Sequence, residues 1–363
     1  MKYSLYLIGE ALTDNGPMLR YIERRLAASG VNAERVFKTA RAEIACADMA
    51  LSGGEPQTLL IYCTPEQAAL IAREIATLTD DAVAMRRGAL LPSRAAVVSA
   101  DYYRIEAGAA QIHVVTAEAG RELPALRLEP VVSAATTHLF DIDAMLLRTL
   151  LRQLAEAYRV KYTLSEPIPG WVQCRMEAER FGDLEGARQQ LVSQFPTALA
   201  TENIAEWLIA ALAEAQKTVT FAESCTGGLL SYYLTKESGA SGIFEGALVT
   251  YSNRLKSAWI AVENSTLEAH GAVSREVVEA MSAGAREVAG ADYAVAVSGV
   301  AGPTGGTPLK PVGTVHVAVR SRDALQTARL SLQGDRNYIQ EQTVLHAVKM
   351  LLLLDKKTFF NIS

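Results

Sequence analysis

Strand-length apolar runs alternate along this chain with stretches of helical spacing, and that alternation leaves few folds open. Residues 3–8, 58–63 and 111–116 are of the first kind. Residues 17–29 and 66–77 are of the second, with Leu19, Ile22 and Leu26 on one stripe before Gly30. A strand that is apolar throughout has no face to give to water. It needs helices on both sides, so the pattern predicts a mostly parallel sheet in an α/β domain over residues 1–130.

The pattern returns after residue 199. Helices are predicted over 204–214, 226–235, 254–262, 275–288 and 336–354, and strands over 219–222, 247–251, 293–297, 312–319 and 326–332. This is a second α/β domain, residues 200–363. Between the two, residues 131–199 offer an amphipathic helix over 143–158, turn chemistry at 167–170, a strand over 171–176 and a helix over 184–195. Those elements make a small α+β segment joining the two α/β domains. At 363 residues the chain has the length for such a division.

Composition narrows function by exclusion. The chain has 35 Lys and Arg against 40 Asp and Glu, a net charge of −5. No basic surface for nucleic acid or an anionic membrane is expected. The apolar stretch of residues 350–354 is too short to cross a bilayer. The opening MKYSLYLIGE runs directly into a strand pattern and predicts no secretion signal. Cys46, Cys63, Cys174 and Cys225 form no C-x-x-C pair, and the histidines are equally scattered. Neither a disulfide framework nor a zinc site is expected, and a cytoplasmic setting fits best.

Three stretches can carry chemistry. Residues 220–229 read TFAESCTGGL. A strand ending at Glu223 and a helix beginning at Thr226 put Ser224 on a strand-to-helix turn. Unbonded N–H groups there can hold an oxyanion or a phosphate, and Gly227 and Gly228 admit a ligand to the backbone. The same geometry serves a plain helix cap. Cys225 beside it reads as a small buried residue rather than a nucleophile.

The second stretch, residues 249–256, reads VTYSNRLK. A serine hydroxyl needs a base to attack an amide, and no G-x-S-x-G elbow or Ser/His/Asp order is present. Lys256 can be that base if burial lowers its pKa, and Tyr251 can relay the proton or donate to the oxyanion. Equally, Tyr251 can be core and Lys256 a solvated helix residue. The third stretch, residues 298–308, reads SGVAGPTGGTP. Five of the eight residues from 299 to 306 are glycine or proline, at the carboxyl end of a strand. Open α/β sheets place ligands there, although a flexible connector has the same composition. Arg336, in Gly334-Asp-Arg336, can bind phosphate or pair with Asp335.

Together these stretches resemble a known family. Ala222-Glu-Ser-Cys-Thr-Gly-Gly228, Thr250-Tyr-Ser-Asn253 with Lys256, His270-Gly-Ala-Val-Ser274, Ser298-Gly-Val-Ala-Gly-Pro303, Pro311-Val-Gly-Thr314 and Gly334-Asp-Arg336 follow the order, and nearly the spacing, of the CinA C-terminal domain, the nicotinamide-nucleotide amidases. The resemblance implies hydrolysis of nicotinamide mononucleotide to nicotinate mononucleotide and ammonia, with no metal or organic cofactor. It implies Ser224 as nucleophile, activated by Lys256 and Tyr251. It also implies a nucleotide pocket lined by the turn of Cys225, Thr226, Gly227 and Gly228, and by Asn253 and Ser274. Ser298, Gly299, Gly302 and Pro303 would line it from the loop, with Gly313, Thr314 and Arg336 beyond. A homodimer or larger homo-oligomer is expected on the same ground.

The first domain is similar in its opening, Ile8-Gly-Glu10, to the molybdopterin-binding-like domain of full-length CinA proteins. That domain carries a Gly-Gly-x-Gly-Pro-Thr loop and two aspartates after a central strand. Here the strand is followed by Thr64-Pro-Glu-Gln. The domain is therefore expected to be degenerate, a scaffold or dimerisation element without ADP-ribose pyrophosphatase activity. The middle segment occupies the place of the family's small KH-like domain. Two rival readings remain at this point: a non-catalytic nucleotide-binding regulator, and a bifunctional enzyme with residual pyrophosphatase activity.

Overall fold

In the computed structural model the chain forms two compact units, Met1–Val131 and Val132–Ser363. The structure describes residues 2–29, 31, 33–42, 57–86, 88–99, 101–108, 110–126, 128 and 134–360. Gly30 and Cys46, both used in the sequence reading, lie outside the described residues.

The first unit contains β1 Lys2–Ile8, β2 Arg35–Thr39, β3 Gln57–Cys63, β4 Val83–Arg86, β5 Ala89–Pro92, β6 Ala96–Ser99, β7 Tyr102–Ala107 and β8 Ala110–Thr116, with helices α1 Glu10–Thr13, α2 Gly16–Ala28 and α3 Pro65–Leu78. Its main sheet has the order β2-β1-β3-β8-β7-β6. The first four strands are parallel, and β7 and β6 run antiparallel. The sheet is thus mostly parallel as expected, with β7 alone running against the other five strands, so that β8-β7 and β7-β6 pair antiparallel. Alternate residues of the strands feed two cores. Tyr6, Ile8, Leu59 and Ile61 pack with Ile71 and Ile75 of α3, while Leu5, Leu7, Leu60 and Tyr62 pack with Ile22 and Leu26 of α2.

The second unit opens with an antiparallel sheet in the order β10-β11-β9-β12, made of β9 Ala134–Phe140, β10 Val160–Ile168, β11 Trp171–Ala178 and β12 Ala198–Leu199. Helices α4 Ala144–Tyr158 and α5 Leu184–Gln194 cover one face, where Leu147, Leu151 and Leu191 meet Leu139, Cys174 and Met176. Asp143 starts α4 by accepting from the N–H groups of Met145 and Leu146. On the other face Phe140, Ile168, Trp171 and Leu199 join the core of the C-terminal sheet. Residues 134–199 therefore share an interior with residues 204–360.

The C-terminal sheet has the order β14-β13-β15-β16-β17, with β13 Val219–Glu223, β14 Phe244–Val249, β15 Tyr293–Gly299, β16 Thr314–Arg320 and β17 Leu325–Ser331. β13 runs parallel to both its neighbours, and β16 and β17 are antiparallel. The helices are α6 Ile204–Glu214, α7 Leu229–Thr235, α8 Asn253–Ile260, α9 Asn264–His270, α10 Arg275–Ala289, α11 Arg336–Leu354 and α12 Lys356–Phe360. Leu208 of α6, Leu230 of α7 and Val344 of α11 pack on Phe221, Val295 and Val317. On the opposite face Ile260 of α8 and Val277 and Met281 of α10 pack on Ala222, Ala296 and Ala318. The two larger sheets are α/β, as the alternation of elements requires, and the antiparallel 134–199 sheet between them in sequence is α+β.

Two boundaries differ from the sequence expectation in ways that matter for the site. Helix α7 starts at Leu229 rather than Thr226, because Gly227 and Gly228 take φ of +61° and +105°, which no α-helix contains. Strand β14 stops at Val249 rather than Tyr251, and the carbonyls of Thr250 and Tyr251 turn to Lys256 instead. Among the described residues no helix is long and apolar enough to cross a membrane.

Candidate active site

Ser224 follows directly on β13, and its N–H donates to the Val297 carbonyl at 3.1 Å, so it still belongs to the ladder. Strand alternation sends Phe221 to the α11 face and Ala222 to the α8 face. Two residues beyond Ala222, the Ser224 hydroxyl is met by Lys256 of α8. Glu223 turns the other way and is fully buried. Its carboxylate accepts from the N–H groups of Gly228 (2.9 Å), Leu230 (3.1 Å) and Ser231 (2.8 Å) and from the hydroxyls of Thr226 (2.7 Å) and Ser231 (2.5 Å).

This corrects one expectation. The amides that open α7 are taken by Glu223 and are not free for an oxyanion or phosphate. The donors not spent on another residue lie two residues earlier: among the described residues the N–H groups of Cys225 and Thr226 bond to no acceptor of another residue. The turn is closed beneath them by Gly227 N–H donating to Ser224 O at 3.2 Å. A Cβ placed on Gly227 or Gly228 would meet nothing within 4 Å, so the surface of this turn is open.

Lys256 sits on the first turn of α8, whose N-cap Ser252 accepts from Leu255 N–H. The lysine is 1 % exposed. Its Nζ lies 3.0 Å from Ser224 Oγ, 2.8 Å from Thr250 O and 3.3 Å from Tyr251 O. Burial pushes its pKa down, opposed by the neighbouring Cys225 sulfur. A neutral amine has two N–H donors and one lone pair. The two carbonyls can take both donors, which leaves the lone pair to receive the Ser224 proton. Cys225 is no competitor as nucleophile, since burial pushes its thiol up to about 12.

The other expected residues separate into two sets. Tyr251 is 60 % exposed, and its hydroxyl accepts from Arg336 Nη2 at 3.1 Å. Its carbonyl, not its phenol, touches Lys256. Arg336 also donates to Gly302 O at 2.8 Å, so it ties the loop of residues 300–313 to the end of β14 and makes no ion pair with Asp335. Asn253 is exposed at the start of α8, near this cluster in sequence. The second set supports the frame. Thr226 is turned inward to Glu223. The Ser274 hydroxyl caps α10 and donates to Gly271 O at 2.8 Å, while Ser298 donates to Ala272 O at 2.7 Å. Both serines are buried and occupied in holding the 271–274 turn. Gly299 and Gly313 let backbones touch: a Cβ on Gly313 would lie 1.8 Å from Leu332 O. Thr314 is buried in β16, and Pro303 follows Gly302 in a cis peptide.

Two contributors escaped the sequence reading. Glu223 lay inside the quoted motif, and a carboxylate just ahead of a glycine-delayed helix was the available signal. Gln340, which donates to Cys225 O at 2.7 Å from α11, gave no signal at all. Among the described residues no group of three or more His, Cys, Asp or Glu side chains could hold a metal ion.

Comparison with known proteins concerns the domain that carries these residues. The family described as the CinA C-terminal domain matches residues 201–354. A competence-damage inducible protein of Thermoanaerobacter sp. (strain X514) is 39 % identical over 174 residues, 48 % of this chain and 42 % of its own. A CinA-like protein of Thermotoga maritima is 43 % identical over 150 residues, 41 % of this chain and 36 % of its own. The chain thus spans less than half the length of these relatives. The crystal structure of a competence/damage inducible protein from Agrobacterium tumefaciens is 38 % identical, covering 42 % of this chain and 93 % of that one, with a TM-score of 0.41. Through its residues 201–354, this chain belongs to the CinA family.

Proposed function

We propose that the C-terminal domain is a nicotinamide-nucleotide amidase with a serine nucleophile. The observation that carries this reading is the 3.0 Å contact between a buried lysine Nζ and Ser224 Oγ. A lysine whose other partners are two carbonyls is suited to serve as a base. Lys256 takes the proton as Ser224 Oγ attacks the carboxamide carbon. The resulting oxyanion accepts from the free amides of Cys225 and Thr226. Collapse of the tetrahedral species expels ammonia, which leaves with the proton held by Lys256. Water then attacks the acyl-serine with Lys256 again as base, and the carboxylate product departs.

The Arg336–Tyr251 pair gives the nucleotide end of the substrate a place. Two Arg336 nitrogens are engaged by Gly302 O and Tyr251 Oη, and a guanidinium offers five N–H donors. The remaining ones, beside a phenol, suit a 5′-phosphate. Tyr251 is then a substrate-binding residue, and its catalytic part is played by its carbonyl on Lys256.

The test is ammonia release from nicotinamide mononucleotide, without added metal, by the full chain and by Ser224→Ala. Turnover in the wild type that vanishes in the variant is expected. A folded wild type that binds the nucleotide and releases no ammonia would overturn the reading in favour of a non-catalytic regulator.

A further inference from the structure

Helix α11 reaches the nucleophile's turn through one side chain. Gln340 Nε2 donates to the Cys225 carbonyl at 2.7 Å. Arg336 stands one turn earlier on the same stripe of α11 and holds Gly302 and Tyr251. Residues 336 and 340 therefore fasten three separate pieces of chain around Ser224: the 224–228 turn, the loop after β15 and the end of β14.

The Cys225 carbonyl shares a planar peptide with the Thr226 N–H. Among the described residues the one cis peptide is Gly302–Pro303, so the Cys225–Thr226 peptide is trans. Across a trans peptide the carbonyl and the N–H point in opposite directions. A donor that fixes the carbonyl thus fixes where the N–H aims. The Thr226 side chain cannot do this, since its hydroxyl is spent on Glu223. The later amides of the turn are likewise spent, on Glu223 and on Ser224 O. The α11 side of the sheet holds Cys225 in its core, whereas Lys256 comes from α8, which packs on the other face. A Cys225 carbonyl drawn toward α11 turns the Thr226 N–H away from α11, toward the side from which Lys256 reaches Ser224.

We propose that Gln340 is a positioning residue that, by holding the Cys225 carbonyl, aims the Thr226 N–H at the oxyanion formed on attack by Ser224. It acts through the peptide and touches no substrate. This rests on the serine acyl-transfer reading above. An interaction made only with the oxyanion lowers kcat when lost and leaves KM nearly unchanged.

The experiment uses the full chain with Gln340→Met, which keeps the length and removes the donor, and Gln340→Lys, which keeps a donor of similar reach. Two rates are read for each: ammonia release from nicotinamide mononucleotide, and labelling of Ser224 by a fluorophosphonate, followed by intact mass. The label forms a tetrahedral adduct on the serine and needs no amide substrate. The expected result is a fall in kcat and in labelling rate on the order of tenfold or more in Gln340→Met, with KM changed less than about twofold. Gln340→Lys should recover most of both rates. Equal rates in Gln340→Met and wild type, a loss carried by KM, or equal losses in both variants would overturn the role of Gln340. Labelling of wild type without ammonia release would sink the amidase reading alone, and the labelling rates would still decide for or against Gln340. A wild type that neither labels nor releases ammonia would sink both.

Discussion

The turn after β3 and the turn after β13 both leave the carboxyl end of a buried parallel strand, and they diverge within two residues. After β3, Thr64 stands at the N-cap without a side-chain capping bond and Pro65 is already the first residue of α3. Proline brings no N–H, so the new helix has one donor fewer to offer, and Thr64 packs over Gly9, where an added Cβ would lie 2.6 Å from it. After β13, residues 224 to 228 intervene before α7. Two glycines at positive φ hold the helix back, and Glu223 takes the amides that open it. The first turn is filled and closed. The second leaves two amides unspent beside a hydroxyl that meets a buried lysine, on a turn whose glycines face open space. Delay of the helix and internal neutralisation of its positive end set the second strand-to-helix junction apart.

The strongest way to break that contrast is to remove the base. Lys256→Met should lower turnover by roughly a thousandfold or more. In the wild type, kcat/KM should climb with pH through the depressed lysine pKa and flatten above it, because the amine must be neutral to act. Stability has the same sign. Between the depressed value and the ordinary lysine value of about 10.4, the unfolded chain binds a proton that the folded chain has released. Wild-type stability therefore rises with pH across that window. Lys256→Met should lose this rise and be the more stable protein at neutral pH, measured by urea unfolding. Full turnover in the variant would reduce the second turn to a cap.

A smaller effect is expected from Glu223→Gln. The amide keeps the shape but turns N–H donors against donors that a carboxylate had satisfied. A loss of about 2–4 kcal/mol in urea unfolding is expected. An unchanged midpoint would mean that the carboxylate does not hold the turn. The smallest effect belongs to the first turn. Pro65→Ala should cost about 0.5 kcal/mol through the freedom it gives the unfolded chain, with ammonia release untouched. A loss of activity there would show that the two turns are not independent.

The sequence made the strands and helices of the C-terminal sheet legible because their apolar runs are long and their periods clean. The 336–354 and 204–214 helices match α11 and α6 residue for residue. It missed β9 and β10, whose runs AATTHLF and VKYTLSEPI mix polar residues among the apolar ones, and the seven-residue α9. At the site, the pairing of Ser224 with Lys256 could be read from the motif. The inward turn of Thr226, the capping duty of Ser274 and the link from Tyr251 to Arg336 could not. Tyr251 and Arg336 meet across 85 positions, and the orientation of Thr226 and Ser274 follows the glycine dihedrals at 227, 228 and 271, which residue type alone does not fix. Gln340 is the extreme case, 115 positions from its acceptor.

Beside Ser224, Cys225 is buried with its thiol held up at about 12, and Cys63 and Cys174 share that state. At physiological pH almost none of these sulfurs exists as thiolate. Peroxide and alkylating agents attack the thiolate form, so they find little to react with here. These three sulfurs therefore give an oxidant no thiolate through which to reach the turn that carries Ser224.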